Sequence, residues 1–86
     1  MKKERTERRL NMEELLKILS ELHPEVDFEN EKSLLDNNIF DSFDIISVIA
    51  EVSEQFDVVV SAEDIIPDNF NSAEAIYELI LRLQNN

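Results

Sequence analysis

The absence of glycine constrains this chain more than any other feature of its sequence. None of its 86 residues is glycine, whereas average usage of about 7% would give about six in a chain of this length. Tight turns that need a positive φ lose their usual residue, and the glycine-rich loops that cradle nucleotide phosphates are excluded. Helix ends and turns must therefore depend on Asn, Ser, Asp and Pro.

The length and the rarest residue types exclude several classes of protein. A chain of 86 residues makes one domain, and so small a core leaves little room for an active-site cavity. The lack of cysteine excludes disulfides and thiolate metal sites, and the single histidine, His23, excludes a pair of histidine ligands. No apolar run approaches the roughly 18 residues of a membrane span and no signal peptide is recognisable, so we expect a cytoplasmic protein that does not insert into membranes.

Charge is distributed unevenly along the chain. Residues 1–9 carry five basic and two acidic side chains, whereas the remainder of the chain carries three basic and eighteen acidic ones. We expect residues 1–9 to form a disordered basic arm and residues 10–86 to form the folded domain. The acidic domain would repel nucleic acid and anionic membranes, and it would be steered toward partners that present a basic patch.

The spacing of apolar residues predicts a first helix over residues 12–22. Asn11 followed by Glu14 is a start signal for this helix, and Pro24 follows its end. Residues 24–40 form a long connection in which we expect a short turn of helix. The apolar residues of the helix are Met12, Leu15, Leu16, Leu19 and Leu22, and those that hold the connection against the core are Val26, Phe28, Leu34, Leu35 and Ile39.

A second helix is predicted from Asp41 or Ser42 to about Phe56. Two apolar stripes at helical spacing run along it, one facing the core and one beside it. The core stripe is Ile45, Ile49, Val52 and Phe56, and the adjoining stripe is Phe43, Ile46 and Ala50. The three valines that follow are too few for a sheet strand and form an extended connector.

Two further helices complete a small four-helix bundle, so the predicted fold class is all-α. Ser61 and Asp64 start a short third helix that ends before Pro67. The last helix begins near Ser72 and ends near Gln84. Its buried residues are predicted to be Ala73, Ile76, Tyr77, Ile80 and Leu83.

The tetrapeptide Asp41-Ser42-Phe43-Asp44 lies at the start of the second helix. The first backbone N–H groups of a helix have no partner within it, and the helix dipole is positive at that end, so a phosphate is stabilised there. A serine hydroxyl in this position is suited to attachment of a phosphate-containing group. An enzyme is disfavoured, because no second catalytic group can be placed near Ser42.

From residue 12 to residue 83 the chain resembles the acyl carrier proteins, including the aminoacyl and peptidyl carriers. The resemblance depends on the Asp-Ser-Phe-Asp motif before an acidic amphipathic helix that ends at Asp57. Leu34-Leu35 precedes the motif, and an aliphatic connector, a short helix and Asn69-Phe70-Asn71-Ser72 follow it. The Asp-Ser motif alone is a weak signal, whereas its place in a chain of this length and charge is specific.

The resemblance implies a carrier that is not itself an enzyme. Ser42 would receive 4′-phosphopantetheine from coenzyme A through a phosphopantetheinyl transferase, and the terminal thiol would carry an acyl or aminoacyl group as a thioester. An adenylating ligase would load the carrier, and downstream transferases with basic docking patches would unload it. A monomer is expected, without metal.

The resemblance also assigns roles to the residues around Ser42. Asp41 would cap the helix and be recognised by the transferase. The negative charge of Asp44 would interact favourably with the positive end of the helix dipole, or Asp44 would be recognised by partners. The apolar residues that would contact partner enzymes are Phe43, Ile46 and Ala50, and the acidic ones that would meet basic residues are Glu51, Glu54 and Asp57. The alternatives are that Phe43 is ordinary core and that the acidic side chains form only a solvated face.

Departures from the family pattern indicate the kind of cargo. The glycine that commonly precedes Asp-Ser is missing, and Asn38 is the residue best able to adopt a left-handed turn there. Phe43 replaces the usual leucine, as in carriers of the D-alanyl type, and Ser47 and Ser53 replace acidic residues of fatty-acid carriers. These differences favour a stand-alone aminoacyl carrier in a specialised biosynthetic pathway.

Two further interpretations concern the chain as a whole and its single histidine. The chain could be a carrier-like module that is never modified and only binds other proteins, but such a module would not need Ser42 beside Asp41. His23, which precedes Pro24 at the end of the first helix, is expected to interact with the C-terminal end of the helix dipole or to lie at the surface.

Overall fold

The computed structural model describes residues 3–85, and it is helical. The four α-helices are α1 (Lys3–Leu22), α2 (Ser42–Phe56), α3 (Pro67–Phe70) and α4 (Ala73–Gln84), and a 3₁₀ helix spans Ala62–Asp64. No strand forms within the described residues. The prediction of an all-α four-helix bundle is therefore confirmed. Over the same residues, no helix is both long and apolar enough to cross a bilayer.

Helix α1 begins earlier than the sequence indicated. It starts at Lys3, so Asn11 lies inside the helix and the predicted start at residue 12 is wrong. The residues before Asn11 are mostly Lys, Glu and Arg, which favour helix, so the chain does not need Asn11 to begin it. Residues 3–9 of the predicted arm continue this helix, and residues 1 and 2 lie outside the described residues. The division into an arm at 1–9 and a domain at 10–86 stays a prediction.

One hydrophobic core joins the helices, with α1 packed against α2 and α4, and α3 against α4. The buried helical residues are Leu15, Ile18 and Leu19 of α1, Ile45, Val48, Val52 and Phe56 of α2, and Ala73, Ile76, Tyr77, Leu79 and Ile80 of α4. Burial of Ile18, Val48 and Leu79 was not predicted, whereas Ile49 and Leu83 were placed in the core and are only half-buried. Several registers satisfy helical spacing, and the neighbouring helix selects among them.

The connection between α1 and α2 has a fixed path although it contains no helix. It contains two single turns, each closed by one backbone hydrogen bond. The N–H of Glu31 donates to the carbonyl of Asp27 at 2.9 Å, and the N–H of Asn37 donates to the carbonyl of Ser33 at 2.8 Å. They correspond to the predicted short turn of helix, and neither continues. The aromatic and aliphatic residues Phe28, Leu34 and Phe40 anchor the connection in the core.

Asparagine and aspartate occupy the positions where a positive φ is needed. Asn38 has a φ of 60°, as predicted from its place before the Asp-Ser motif, and Asp57 has a φ of 56° at the C-terminal cap of α2. The role of Asp57 in ending the helix was not predicted. A left-handed conformation is costly for most residues that carry a Cβ, and Asn and Asp tolerate it best after glycine.

The segment after α2 differs in detail from the prediction. The backbone N–H and the hydroxyl of Ser61 both donate to the carboxylate of Asp64, at 3.3 and 3.0 Å, at the start of the 3₁₀ helix. This helix ends before Pro67 as predicted. Pro67 then begins α3, which was not predicted. Proline is favoured at the first position of a helix because its missing N–H would have no partner there.

Asn71, between α3 and α4, holds the end of the long connection. Its carbonyl accepts the N–H of Leu34 at 2.7 Å, and its side-chain oxygen accepts the N–H of Leu35 at 2.8 Å. Its amide nitrogen donates to the carboxylate of Asp36 at 3.1 Å. One residue thus satisfies polar groups of three consecutive residues shortly before Asp41.

We expect Asn71→Ala to lower the free energy of unfolding by about 1–3 kcal/mol, because it leaves the partly buried N–H of Leu35 without its acceptor. Asn30→Ala is the matched control. It removes an exposed local bond to Asp27 and should change stability by less than about 0.5 kcal/mol. Urea denaturation measures both values. Equal losses in the two variants would contradict a specific role for Asn71.

Candidate functional site

Two aspartates define the first turn of α2. Asp41 is the N-cap, with extended backbone angles, and its side-chain oxygen Oδ1 accepts the N–H of Asp44 at 2.9 Å. In return, Oδ2 of Asp44 accepts the N–H of Asp41 at 3.1 Å. The capping function predicted for Asp41 is confirmed. The reciprocal bond from Asp44 was not predicted, because such a box is usually made by Ser or Thr with Glu or Gln.

Ser42 is the first residue of α2, and it is exposed. The cap uses the N–H groups of Asp41 and Asp44, and the N–H of Ile45 donates to the carbonyl of Asp41 at 3.1 Å. Within the described part of the chain, the N–H groups of Ser42 and Phe43 have no partner. The hydroxyl therefore lies beside two free donors at the positive end of a helix dipole, where an anionic ester is stabilised.

The acidic side chains next to Ser42 in the sequence already have hydrogen-bond partners. Both aspartates are engaged in the cap, and among residues 11–85, whose side chains are described, no hydrogen bond joins the Ser42 hydroxyl to a base. In the same range, no group of three or more His, Asp and Glu residues is arranged to hold a metal ion.

The apolar stripe that adjoins the core is presented to solvent. Phe43 is 74% exposed and Ile46 is 64% exposed, and Ala50 is exposed as well. The alternative that Phe43 belongs to the core is thus wrong. These residues share one face of α2 because they are three and four positions apart.

Acidic residues continue along α2 from the apolar stripe. Glu54 follows Ala50 by one helical turn, and Glu51 and Asp57 are also exposed. None of these three carboxylates forms an ion pair with a described residue. The face beginning at Ser42 is therefore apolar near the serine and negatively charged beyond it.

An open cleft of about 510 Å³ lies beside Ser42, between α2 and the segment that contains α3. Its walls are mainly aliphatic and aromatic: Leu35, Phe40, Asp41, Ser42, Ile45, Ile46, Ile49, Ile65, Ile66, Pro67 and Phe70 line it. This cleft was not predicted from the sequence. The exposed pair Ile65-Ile66 before Pro67 was the available signal, but its position opposite α2 depends on the tertiary fold.

His23 contacts the same turn of α2 from the end of α1. The backbone N–H of His23 donates to the carbonyl of Leu19 at 3.0 Å, so His23 lies at the end of α1 as predicted. Its half-buried ring lies between two carboxylates, with Nδ1 3.1 Å from Oε2 of Glu25 and Nε2 3.1 Å from Oδ1 of Asp44. The contact between His23 and Asp44 was not predicted from the sequence, because no local sequence pattern indicates it.

The two carboxylates determine the protonation of His23. Burial lowers the pKa of His23, but the hydrogen bond to Glu25, the close contact with Asp44 and the charges of both carboxylates outweigh it, so the pKa is raised above the ordinary 6.5. The pKa of Glu25 is lowered by its own backbone N–H and by His23. Because the folded pKa of His23 is raised, its contribution to stability is fully present below about pH 6.5 and is lost as the pH rises through the folded value.

Comparison with known proteins finds a relative that covers most of the chain. The chain is 34% identical to the D-alanyl carrier protein of Streptococcus mutans serotype c over 73 residues, which cover 84% of this chain and 92% of the relative. No family model matches the chain, and no solved structure matches it. The match extends over nearly the whole of both proteins and agrees with the exposed serine at the start of α2. The chain therefore belongs to the carrier protein family that includes the D-alanyl carrier protein.

Proposed function

We propose that this protein is an aminoacyl or acyl carrier protein that holds 4′-phosphopantetheine on the hydroxyl of Ser42. The observation that carries the proposal is the exposure of this hydroxyl at the first position of α2, beside the unpaired N–H groups of Ser42 and Phe43. When bound, the phosphopantetheine arm supplies a terminal thiol on which the cargo is held as a thioester. The protein is a carrier and not an enzyme.

The residues of the first turn suit a phosphodiester for physical reasons. A negative charge near the N-terminus of a helix is stabilised by about 0.3–1 kcal/mol at an exposed site. Asp41 and Asp44 hold the turn in place through the cap, and Asp41 would also be recognised by the phosphopantetheinyl transferase. A covalent tether raises the effective concentration of the cargo at each partner without any additional contact.

The exposed face of α2 is the proposed docking surface for partner enzymes. Phe43, Ile46 and Ala50 would enter an apolar depression on the partner. The acidic residues Glu51, Glu54, Asp57 and Asp44 would meet its basic rim. The expected partners are the phosphopantetheinyl transferase, an adenylating ligase and downstream transferases.

The relative supports an aminoacyl cargo, because its name describes a carrier of D-alanine. Phe43, Ser47 and Ser53 differ from the residues typical of fatty-acid carriers and agree with that assignment. We further propose a cytoplasmic monomer that works in a specialised biosynthetic pathway. An unmodified interaction module is not favoured, because it would not require an exposed serine within a complete helix cap.

Modification of Ser42 can be tested by measuring the intact mass. Co-expression with a broad-specificity phosphopantetheinyl transferase should add the mass of one phosphopantetheine to the protein, and Ser42→Ala should abolish the gain. Ser61→Ala is the matched control, because Ser61 is also exposed at a helix start with an aspartate three residues later. A gain that persists in Ser42→Ala contradicts the assignment of the residue, and no gain in the unaltered protein favours the interaction module.

The apolar part of the docking surface can be tested with Phe43→Ala. We expect kcat/KM for modification by the transferase to fall about tenfold, because a central aromatic contact is commonly worth more than 1 kcal/mol. Stability should change by less than about 0.5 kcal/mol, since the side chain is mostly exposed. Val59→Ala removes apolar surface from a residue that is 82% exposed outside the helix, and it should leave kcat/KM unchanged. Similar losses in both variants would argue against docking through Phe43.

The acidic part of the surface can be tested by charge reversal. The double variant Glu51→Lys/Glu54→Lys should lower kcat/KM by about tenfold at low salt, because charge complementarity raises encounter rates, and the loss should shrink as salt is added. The control is Glu21→Lys/Glu78→Lys, which makes the same change in net charge at exposed positions on α1 and α4. If the two double variants behave alike, net charge and not the α2 face governs docking.

A further inference from the structure

The carboxylate of Asp44 has two functions at once. Oδ2 accepts the N–H of Asp41 and closes the cap around Ser42, while Oδ1 lies 3.1 Å from Nε2 of His23. The cap that positions Ser42 is thereby connected to the residue immediately after α1. Removing His23 would free one oxygen of the carboxylate that the cap needs.

His23 also contacts the chain on the other side of Ser42. Its ring centroid is 5.6 Å from that of Phe40, and Phe40 is in turn 5.8 Å from Phe28. Phe40 is buried and directly precedes Asp41. His23 therefore contacts the residue before the Asp41-Ser42 pair and, through Asp44, the residue that completes the cap after it.

The arrangement of charges around the ring requires two N–H donors. Among the described residues, the charged groups in contact with the ring are Glu25 from the connection and Asp44 from α2, one at each nitrogen. A neutral imidazole carries a single N–H, so one nitrogen would direct its lone pair at a carboxylate oxygen. The imidazolium form carries an N–H at each nitrogen and a positive charge that both carboxylates attract, and the raised pKa of His23 agrees with this form.

The pair between His23 and Asp44 is an ion pair rather than a directed hydrogen bond. Nε2 is buried from solvent, and within the described residues it has no hydrogen bond of good geometry although Oδ1 of Asp44 lies 3.1 Å away. If Asp44 moved away, the buried N–H at Nε2 could not form a hydrogen bond with water instead, and leaving it without a partner costs free energy. The position of Asp44 therefore depends more on the charge of the His23 ring than on the orientation of a hydrogen bond from Nε2.

We propose that His23 is a positioning residue for the reaction at Ser42: in its charged form it holds Asp44 against the end of α1 and so keeps the first turn of α2 in the geometry that the transferase modifies. The inference rests on the proposed function of Ser42. Small displacements of a reacting group lower reaction rates strongly, so loosening this turn slows modification even when the fold is retained.

Two measurements on the full chain test the proposal, with His23→Gln as the variant, because glutamine can still donate to Asp44 but does not titrate. The first is NMR between about pH 5.5 and 8.5, where histidine is the side chain that ordinarily changes charge. His23 is the sole histidine. The backbone amide signals of Ser42 and Asp44 should shift with the same midpoint as the His23 ring, above pH 6.5, and this phase should vanish in His23→Gln.

The second measurement is the ratio of modification rates, unaltered protein to His23→Gln, with one transferase at each pH. The transferase's own pH dependence cancels in this ratio. We expect a ratio of about two- to fivefold below the midpoint, typical of a partly buried ion pair at a helix end, that declines toward one above it. A purely structural role for His23 would give a ratio that does not vary with pH.

The outcomes separate the two proposals. If the unaltered protein is modified on Ser42, but the amides ignore the titration of His23 and the rate ratio is constant, the positioning role is overturned and the carrier function stands. If Ser42 is never modified, the carrier function fails, and the positioning role fails with it even where the amides follow the ring. Amides and rate ratio that both follow the His23 midpoint support the role.

Discussion

The reciprocal hydrogen bonds between Asp41 and Asp44 determine where α2 begins, and the geometry of the proposed attachment site follows from that point. Because the cap uses the N–H of Asp44 and leaves those of Ser42 and Phe43 unpaired, the serine lies beside free donors at the surface. A helix starting one turn later would have placed Ser42 in the connection, away from the dipole. A start one turn earlier would have paired its N–H within the helix. The cap thus couples the local fold to the chemistry that the site can support.

The chain builds this cap and the path into it without glycine. Asn38 supplies the left-handed turn before the motif, and Asp57 supplies the one that ends α2. Such positions are less favourable for these residues than for glycine, so other contacts must hold the backbone there. The connection before the motif receives them from the core anchors Leu34 and Phe40 and from the hydrogen bonds of Asn71. Side-chain hydrogen bonds and packing therefore stabilise backbone conformations that glycine would adopt at lower cost.

The sequence could predict those parts of the site that depend on neighbouring residues. The start of α2 at Asp41 or Ser42 was predicted from the local pattern, and the cap on Asp41 and the left-handed Asn38 were predicted from the family resemblance together with local side-chain chemistry. Burial of Val48 in place of Ile49 could not be predicted, because both positions satisfy helical spacing and the packing of α1 decides between them. The cleft beside Ser42 and the contact of His23 with Asp44 join segments distant in the chain, so no local pattern encodes them.

The exposed face of α2 suits the proposed docking of several partners in turn. Burying a side chain such as Phe43 or Ile46 would stabilise a fold by about 1.5–3 kcal/mol each, yet both are largely exposed. The stabilisation forgone by leaving both exposed is a substantial fraction of the total stability of a domain, which is about 5–15 kcal/mol. A small apolar patch next to unpaired carboxylates gives fast, charge-steered encounter and a modest contact area, which favours rapid release. A carrier that must leave each enzyme with its cargo gains more from this combination than from tight binding. Ser42, the proposed attachment residue, lies at the edge of the patch, where the partner's active site would meet it.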